Sequence, residues 1–515
     1  MKNRLLYLVG CLLLTISTIA QDNFRVYYSE PERDDSKRTN FEVIGKMGPN
    51  FVTYKNNRTV HSICVYDNEM KLVTRSQMEF IDENRFINVD FIAFPDYFYA
   101  IYQYQRKNVV YCNVAKLDGM GKVIGKPVEL DSTHLNGLNT SADKVYTVIY
   151  SDDKQRVMLL KINSQNPKNY VFTMLLFDNN MQLVDKSRAD LAMEERNNNF
   201  TDFYLSNNSE LIFAKFNRSG NSTESVTNVN LVMKYPDSLD FTVRPVDIGT
   251  KILDELRLKI DNSKRRAALT SFYYKQKRGS VEGLYALTWD IAKGEKIRDI
   301  TYFFNDDLRA AAKGEDGSKK TAFDDFYIKN IIVRKDGGYL LLAESLYSSS
   351  SGNSYNRWNN PYWGSPWSSP MDYYSYPYYS PYYMPWNRGG FPDYSNTRFF
   401  ADNIMVLSFS NDGTMEWSNI IPKEQFDDQS DNSISYGLIN TGGELHFLFN
   451  QMDKKVQILT DQSIAPDGKV SRHPTIKNLD RGYEFMPRFA KQVSSKQIII
   501  PCWYKNYLCF AKIDF

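Results

Sequence analysis

Residues that commonly carry acid–base or metal chemistry are few in this chain and lie far apart in the sequence. The four histidines are His61, His134, His446 and His473, and none belongs to an HxxxH or HExxH pattern. Zinc sites and Ser-His-Asp triads both depend on imidazole groups held beside specific partners. We therefore expect structural or surface histidines, and the sequence predicts no catalytic residue, no metal ligand and no cofactor.

Acidic side chains are plentiful, and two clusters of them lie beside predicted turns. The clusters are Asp324-Asp325 and Asp427-Asp428 with Asp431. A glycosidase needs two carboxyl groups on either side of a cleft, so a carbohydrate-active hydrolase is one hypothesis. Acids beside turns are more often solvated loop residues, and the second cluster lacks the glycine and terminal glutamate of a calcium loop.

The feature with the clearest functional character is an aromatic segment, Tyr347–Thr397. Its 51 residues hold 11 Tyr, 7 Pro and 4 of the chain's 7 Trp, but only four charges. Proline and the lack of periodicity argue against a regular strand or helix, and a loop insertion without a contact role is the alternative. Exposed Tyr and Trp offer flat faces and polar tips that suit glycans or protein partners. The candidate ligand-binding residues are Trp358, Trp363, Trp367, Tyr373, Tyr374, Tyr378, Tyr382 and Trp386.

Strand–turn–strand units, which would position these residues, recur along the chain. The clearest is Asn403–Lys423, where the apolar runs Ile404–Phe409 and Met415–Ile421 flank Asn411-Asp412-Gly413. Asp-Gly between two such runs is a strong hairpin signal because the tight turn needs positive φ. Eight repeats of this kind predict an all-β fold, a β-propeller of eight four-stranded blades. A propeller of seven blades remains an alternative, because the third repeat has more apolar runs than we can assign to strands.

The two ends of the chain indicate how such a ring would close. The last repeat, Glu484–Ile513, has three strands, while Phe24–Tyr28 stands alone before the first repeat. A propeller closes when one terminus completes the blade begun by the other, which hides two sheet edges. The sequence therefore predicts a single propeller domain over residues 21–515, with 347–397 inserted in it. Unrelated β domains in tandem are the alternative.

Residues 1–20 indicate the compartment in which the protein functions. Lys2 and Arg4 precede the apolar run Leu5–Ile19 and then Ala20, which is typical of a Sec signal peptide, and the run is shorter than the ~20 residues of a membrane span. Without Lys2 and Arg4, 61 basic residues face 61 acidic ones, so a nucleic-acid partner is not expected. We expect export to the periplasm, the outer membrane surface or the medium, with no transmembrane segment in the mature chain.

Four cysteines remain after this peptide: Cys64, Cys112, Cys502 and Cys509. The last two face each other if Lys505-Asn506 forms a two-residue turn, and export would permit a disulfide. Buried free thiols are the favoured alternative.

Two long stretches carry a family resemblance. Phe326–Glu344 (FYIKNIIVRKDGGYLLLAE), followed after the aromatic insert by NIMVLSFSNDGTMEW from Asn403 and by IPKEQ at Ile421–Gln425, resembles a group of uncharacterised secreted proteins of Gram-negative Bacteroidota. FDNNMQLV at Phe177–Val184 is similar to a repeat of the same group. The resemblance implies an exported, propeller-like protein and offers no catalytic residue to transfer.

Three functional hypotheses follow. The preferred one is a secreted, non-enzymatic binding or scaffold protein of the cell envelope that contacts glycan or protein through the aromatic segment. The second is the carbohydrate-active hydrolase, with carboxylates at the propeller mouth. The third is a structural subunit of a secretion or outer-membrane assembly.

Overall fold

The computed structural model describes residues 24–32, 39–57, 59–81, 85–135, 144–166, 168–193, 198–218, 226–254, 256–277, 279–313, 319–350, 353–355, 397–428, 431–453, 456–475 and 482–515. Within these ranges the chain forms 37 β-strands, one α-helix and two 3₁₀-helices. Every pair of strands is antiparallel. The first strand, β1 (Arg25–Tyr28), belongs to the last blade.

The first half of the chain forms blades 1 to 4, in which successive strands are neighbours, except that the first strand of blade 4 is split into two short strands that both pair with the next one. Blade 1 contains β2 (Asn40–Met47), β3 (Asn50–Asn57), β4 (Val60–Tyr66) and β5 (Leu72–Gln77); blade 2 contains β6 (Phe86–Ala93), β7 (Tyr97–Arg106), β8 (Val109–Asp118) and β9 (Val128–His134); blade 3 contains β10 (Thr147–Tyr150), β11 (Arg156–Asn166), β12 (Asn169–Asp178) and β13 (Leu183–Ala192); blade 4 contains β14 (Asn198–Phe200), β15 (Tyr204–Leu205), β16 (Leu211–Arg218), β17 (Val226–Lys234) and β18 (Thr242–Val246).

The second half repeats this plan in blades 5 to 8, with several first strands split in two and a single bridge joining blades 4 and 5. Blade 5 contains β19 (Ile252–Leu253), β20 (Arg257–Asp261), β21 (Arg266–Tyr274), β22 (Gly283–Asp290) and β23 (Glu295–Phe303); blade 6 contains β24 (Phe326–Val333), β25 (Tyr339–Ser350), β26 (Asn353–Tyr355), β27 (Thr397–Phe409), β28 (Met415–Ile421) and β29 (Phe426–Asp427); blade 7 contains β30 (Tyr436–Asn440), β31 (Leu445–Asp453), β32 (Val456–Ile464) and β33 (Val470–Arg472); blade 8 contains β34 (Tyr483–Phe485), β35 (Lys491–Ser494), β36 (Gln497–Tyr504) and β37 (Tyr507–Asp514).

The predicted all-β propeller of eight blades is confirmed. The third repeat, which left seven blades open, forms one complete blade, because its two long apolar runs are the second and third strands, β11 and β12. The predicted closure is also confirmed. Strand β1 pairs with β37 from Arg25 opposite Asp514 to Tyr28 opposite Ala511, so it becomes the fourth strand of blade 8.

Buried apolar side chains between neighbouring blades hold the ring together. Within the described residues, each of the eight blade-to-blade interfaces has its own cluster of buried apolar side chains. In the interface that closes the ring, Phe41 and Phe51 of blade 1 pack with Trp503 and Phe510 of blade 8. Fully burying one such side chain contributes roughly 1.5–3 kcal/mol, so the eight interfaces are the main stabilising contacts.

A four-residue turn recurs between the third and fourth strands of several blades. In blades 1 to 3 an aspartate starts the turn, and its Oδ1 accepts hydrogen bonds from backbone N–H groups two and four residues later; these aspartates are Asp67, Asp118 and Asp178. The fourth residue has positive φ, as at Gly121 (76°), and Gly413 (79°) closes the equivalent turn in blade 6. The hairpin predicted from Asp412-Gly413 is therefore confirmed.

Two other predicted segments differ from expectation. The charged sequence of residues 305–321 (NDDLRAAAKGEDGSKKT) predicts a solvated excursion between blades with brief helical character. In the structure α1 (Asp306–Lys313) instead buries Leu308, Arg309 and Ala312, and Lys319–Thr321 forms a 3₁₀-helix. Arg309 is buried because its guanidinium donates to backbone carbonyls, including those of Phe304 and Val281. The other 3₁₀-helix is Pro487–Phe489.

The aromatic segment is also more regular at its ends than expected, since 347–350 continue β25, 353–355 form β26 and 397 begins β27. Cross-strand pairing with Phe400 and its neighbours satisfies the backbone there. Among the described residues, no helix is long and apolar enough to span a bilayer.

The two cysteines near the end of the chain lie opposite each other. Lys505 and Asn506 both have positive φ and form the predicted two-residue turn between β36 and β37. Cys502 and Cys509 are therefore paired across the sheet, with their Sγ atoms 3.0 Å apart. Both are buried free thiols, and burial raises the pKa of Cys502 well above its usual range.

Candidate functional site

The hairpin of β25 and β27 extends past the rest of blade 6. Its pairing with the first strand, β24, ends where Phe326 lies opposite Ser345, but pairing between β25 and β27 continues to Ser350 opposite Thr397. The five further residues of β25 amount to roughly 16 Å of extended chain. We call this outer part of the hairpin the stalk (residues 346–350 and 397–402). Residues 351–396, most of the aromatic segment, connect its two ends.

One face of the stalk is partly exposed and aromatic. Tyr347 and Phe400 lie directly opposite each other with nearly parallel rings, 4.5 Å between centroids. Phe426 of the short strand β29 extends this face, and half of its surface is exposed. The guanidinium of Arg398 lies 4.7 Å from the Phe426 ring centroid. Aromatic rings beside a cation and in contact with solvent are a common feature of binding surfaces.

The other face of the stalk is buried against blade 7. Leu346, Phe399 and Ala401 form a small apolar cluster with Tyr327 of β24 and Ile434, just before β30. This cluster fixes the direction of the stalk, because only one of its two faces is available to solvent.

A buried polar cluster lies at the base of the stalk. Lys423 Nζ lies 2.8 Å from Glu344 Oε1, and both side chains are fully buried. Lys423 also donates to the carbonyl of Ala401 (2.5 Å) and to Gln425 Oε1 (2.8 Å), while Ser435 Oγ donates to Glu344 Oε2 (2.6 Å). Burial lowers the pKa of Lys423, and the nearby Glu344 opposes that shift. Because Ser435 precedes β30, the cluster joins blade 6 to blade 7.

Charged side chains also link blades near the central axis. Arg257 of blade 5 lies 3.8 Å from the carboxylate of Asp202 in blade 4, and its Nε donates to the Ile328 carbonyl of blade 6 (3.2 Å). Arg488 of blade 8 forms an ion pair with Asp431 and donates to its carbonyl (2.9 Å). These carboxylates therefore act as contacts between blades.

Lys329 on β24 has the most perturbed amine in this region. Its side chain is half-buried and enclosed by protein, and burial lowers its pKa to about 8. The charge of Glu344 opposes this shift, whereas Arg488 and Arg257 reinforce it. A lysine whose pKa lies near neutral pH is able to act as a base.

The residues predicted as ligand-binding, Trp358, Trp363, Trp367, Tyr373, Tyr374, Tyr378, Tyr382 and Trp386, all lie outside the described residues. The structure places only the stalk from which that segment starts and to which it returns.

The two acidic clusters are described, and their members bind separate partners. Asp324 accepts from the Val281 N–H (3.0 Å), Asp427 accepts from Ser433 Oγ (2.5 Å), and Asp428 pairs with Arg398. The Asp431–Arg488 ion pair is a further contact of this kind.

The histidines are less dispersed than their spacing in the sequence suggests. His61 is buried beside Tyr54 Oη (2.7 Å) and Asn56, and burial lowers its pKa to about 4. His446 and His473, by contrast, lie on one face of blade 7 with ring centroids 5.2 Å apart. Sequence reasoning missed this proximity, although His446 and Asp461 were visible as polar residues within apolar strands.

Comparisons with known proteins add no family. No family model matches the chain, and no curated protein matches it. Solved structures that align with it include a prolyl endopeptidase from an analysis of two such enzymes (TM-score 0.42, 8% identity, 92% of this chain and 55% of that one). Others are the apo prolyl oligopeptidase B of Galerina marginata (0.39, 8%, 92% and 56%) and a mutant apocarotenoid oxygenase of Synechocystis (0.33, 9%, 96% and 94%). The chain spans about half the length of these peptidases, and similarity at this level indicates nothing about its function.

Proposed function

We propose that this protein is a secreted, non-enzymatic binding or scaffold protein of the cell envelope, and that it contacts glycan or protein through residues 351–396. The observation that carries the proposal is the stalk. One hairpin continues five residues beyond its blade and holds the aromatic segment between its ends.

The contacts of the stalk support a contact role. Its base is fixed by the buried Glu344–Lys423 pair and by the apolar cluster against blade 7. A binding segment mounted on a rigid element loses less conformational entropy on binding than one on a free loop. Its open face exposes Tyr347, Phe400 and Phe426, and large apolar side chains grouped in solvent commonly mark an interaction surface.

The carboxylates favour a binding role over hydrolysis. A glycosidase acts through two carboxyl groups about 5–9.5 Å apart, one of them free to donate a proton. Asp202 and Asp431 instead each pair with an arginine of another blade, Arg257 and Arg488. The export part of the proposal is supported by the basic and apolar pattern of residues 1–20.

The test is a variant in which residues 351–396 are replaced by Asn-Gly, a sequence that favours a two-residue hairpin turn. Its matched control replaces residues 107–108 at the tip of the β7–β8 hairpin with the same dipeptide. Both proteins and the parent chain are applied to a glycan array and cross-linked in intact cells of the native host.

We expect the blade 6 variant to lose glycan binding or its cross-linked protein partner, and the control to retain both. The free energy of unfolding of the two variants should stay near that of the parent, since each replacement keeps the strand pairs on either side of it. Binding and cross-linking that persist without residues 351–396 would contradict the proposal. Normal glycan binding together with failed assembly of an envelope complex would favour the structural-subunit hypothesis.

A further inference from the structure

A second cluster of polar side chains lies between blades 7 and 8, away from the stalk. The face of blade 7 that packs against blade 8 is largely apolar and includes Leu448 and Leu459. His446, Asp461 and His473 lie on the same face. The pairing of β31 with β32 places Leu448 opposite Asp461, and the His473 N–H donates to the Asp461 carbonyl, so the three polar side chains converge.

Their geometry is close to that of a metal-binding set. His446 Nδ1 lies 3.0 Å from Asp461 Oδ2, and one donor atom from each of the three residues lies within 4.8 Å of the others. Bonds of about 2.0–2.2 Å to a tetrahedral zinc ion bring ligand atoms to about 3.3 Å from one another.

The burial of Asp461 gives an independent reason to expect a cation. Its side chain is fully buried, and among the described residues its carboxylate accepts a hydrogen bond only from His446. A buried carboxylate is costly unless a positive charge or several donors compensate it. A divalent ion bound by the carboxylate and both imidazoles supplies that charge.

The groups around His473 are placed to hold a metal-binding imidazole by hydrogen bonds. Ser463 Oγ lies 2.7 Å from His473 Nε2 and donates to Glu444, whose carboxylate lies 3.8 Å from the same nitrogen. Hydrogen bonds of this kind orient metal-binding histidines in proteins.

A cavity of about 360 Å³ opens onto both imidazoles. Phe24 and Phe515 line it, with the Phe515 ring centroid 4.7 Å from that of His446, and Lys496 contributes a positive charge to the wall. Zinc sites with three protein ligands keep a fourth position for water or a small ligand, and this cavity provides the space for one.

We propose that His446, Asp461 and His473 bind one divalent first-row transition-metal ion of the zinc type, with an open coordination position facing the cavity. Two imidazoles and a carboxylate suit zinc, cobalt, nickel or copper rather than magnesium or calcium, which prefer oxygen ligands alone. This site is independent of the proposed contact role of residues 351–396.

The test uses the mature full-length chain without a histidine tag, freed of metal by chelation and then titrated with ZnCl₂ in a calorimeter. Cobalt(II) is added in a parallel experiment, because its visible absorption reports ligand type and geometry. We expect one equivalent of zinc to bind with saturation, a higher melting temperature in its presence, and an absorption spectrum typical of a four- or five-coordinate site.

Five variants test the assignment of the ligands. His446→Gln and His473→Gln should abolish saturable binding, whereas His473→Cys should restore it because thiolate also binds zinc. The matched control is His134→Gln, since His134 is exposed on the outer strand of blade 2, and it should bind like the parent. Ser463→Ala, which removes a partner of His473, should weaken binding about tenfold.

Absence of saturable zinc binding to the parent chain would overturn the proposal. Binding that survives both His446→Gln and His473→Gln, or that is lost equally in His134→Gln, would overturn it as well. If His446→Gln fails to fold, the contrast between His473→Gln and His473→Cys decides, because a purely structural role would not be restored by cysteine.

Discussion

Two hairpins of this propeller are much longer than the first strands beside them, and they differ in how far the surrounding protein covers them. In blade 3, β11 pairs with β10 only from Val157 to Leu160 but continues to Asn166. In blade 6, β25 continues past β24 to Ser350. Length alone therefore does not distinguish them.

The blade 3 hairpin is covered by protein. The fourth strand, β13, pairs with β12 along its whole length, as far as Asn169 opposite Ala192. Phe172 on β12 is fully buried against four phenylalanines of blade 4, namely Phe200, Phe203, Phe213 and Phe241. This hairpin therefore belongs to the packed core between blades 3 and 4.

The blade 6 hairpin is covered on one face only, the face against blade 7. Its fourth strand, β28, stops where Ile421 lies opposite Ile404, and beyond it the two residues of β29 are the next partners of β27. The side chains of Tyr347 and Phe400 remain half-buried. The contrast shows that the long blade 3 hairpin serves packing, whereas one face of the blade 6 hairpin stays available for contact.

The largest expected effect comes from the base of the stalk. Lys423→Met leaves the Glu344 carboxylate buried without its counter-charge, and breaking a buried pair of this kind costs about 3–5 kcal/mol of the free energy of unfolding. Urea denaturation measures the loss. The double variant Glu344→Leu with Lys423→Met should recover most of it, and failure to recover would show that the pair is not what fixes the stalk.

Phe172→Ala tests the covered hairpin. Removing a buried phenylalanine leaves a cavity among the blade 4 rings, and the expected loss is about 3–5 kcal/mol in the same denaturation experiment. A loss below about 1 kcal/mol would mean that the blade 3 hairpin is not held by its aromatic cover.

The free energy of unfolding should depend on pH through Lys329 of blade 6. Burial lowers the pKa of Lys329 to about 8, below the 10.5 of an unperturbed lysine. Between these two values the unfolded chain binds a proton that the folded chain does not, so stability from this group increases with pH. Denaturation of the parent and of Lys329→Met from pH 7 to 10.5 should show a steeper increase for the parent. Equal slopes of the free energy of unfolding against pH in the two proteins would contradict the lowered pKa of Lys329.

The smallest expected change in stability is that of Phe400→Ala. Its ring is half-buried and stacks only on the exposed face of the stalk, so the free energy of unfolding should fall by less than about 1 kcal/mol. Glycan or partner binding should weaken nonetheless. If Phe400→Ala destabilised the protein as much as Phe172→Ala, the two hairpins would not differ in the way described.

Local patterns predicted most of the fold. Turns such as that at Asp412-Gly413 and the alternating strands around them are determined by neighbouring residues, which is why eight repeats and the pairing of β1 with β37 were visible in the sequence. The sequence suggested brief helical character at α1, but its burial was not predicted, because it depends on Arg309 binding the carbonyls of Val281 and Glu282 in a distant segment.

The candidate sites depend on contacts between distant residues. Glu344 and Lys423 lie on either side of the aromatic segment in the sequence, and they meet because β25, β27 and β28 are neighbours in blade 6. His446 and His473 meet only because the register of β31, β32 and β33 brings them to one face. The spacing of residues in the sequence does not show which residues of neighbouring strands lie opposite each other. These sites could therefore be found only in the structure.

The most direct measurement of the contact role is site-specific photo-cross-linking in the native cell envelope. A benzophenone amino acid is placed at Phe426, on the open face beside the stalk, and separately at Val184, which is similarly exposed on the outer strand of blade 3. We predict a discrete cross-linked product from position 426 that disappears when residues 351–396 are replaced, and none from position 184. Equal products from both positions, or a product at 426 that is indifferent to the replacement, would contradict the contact role of the stalk.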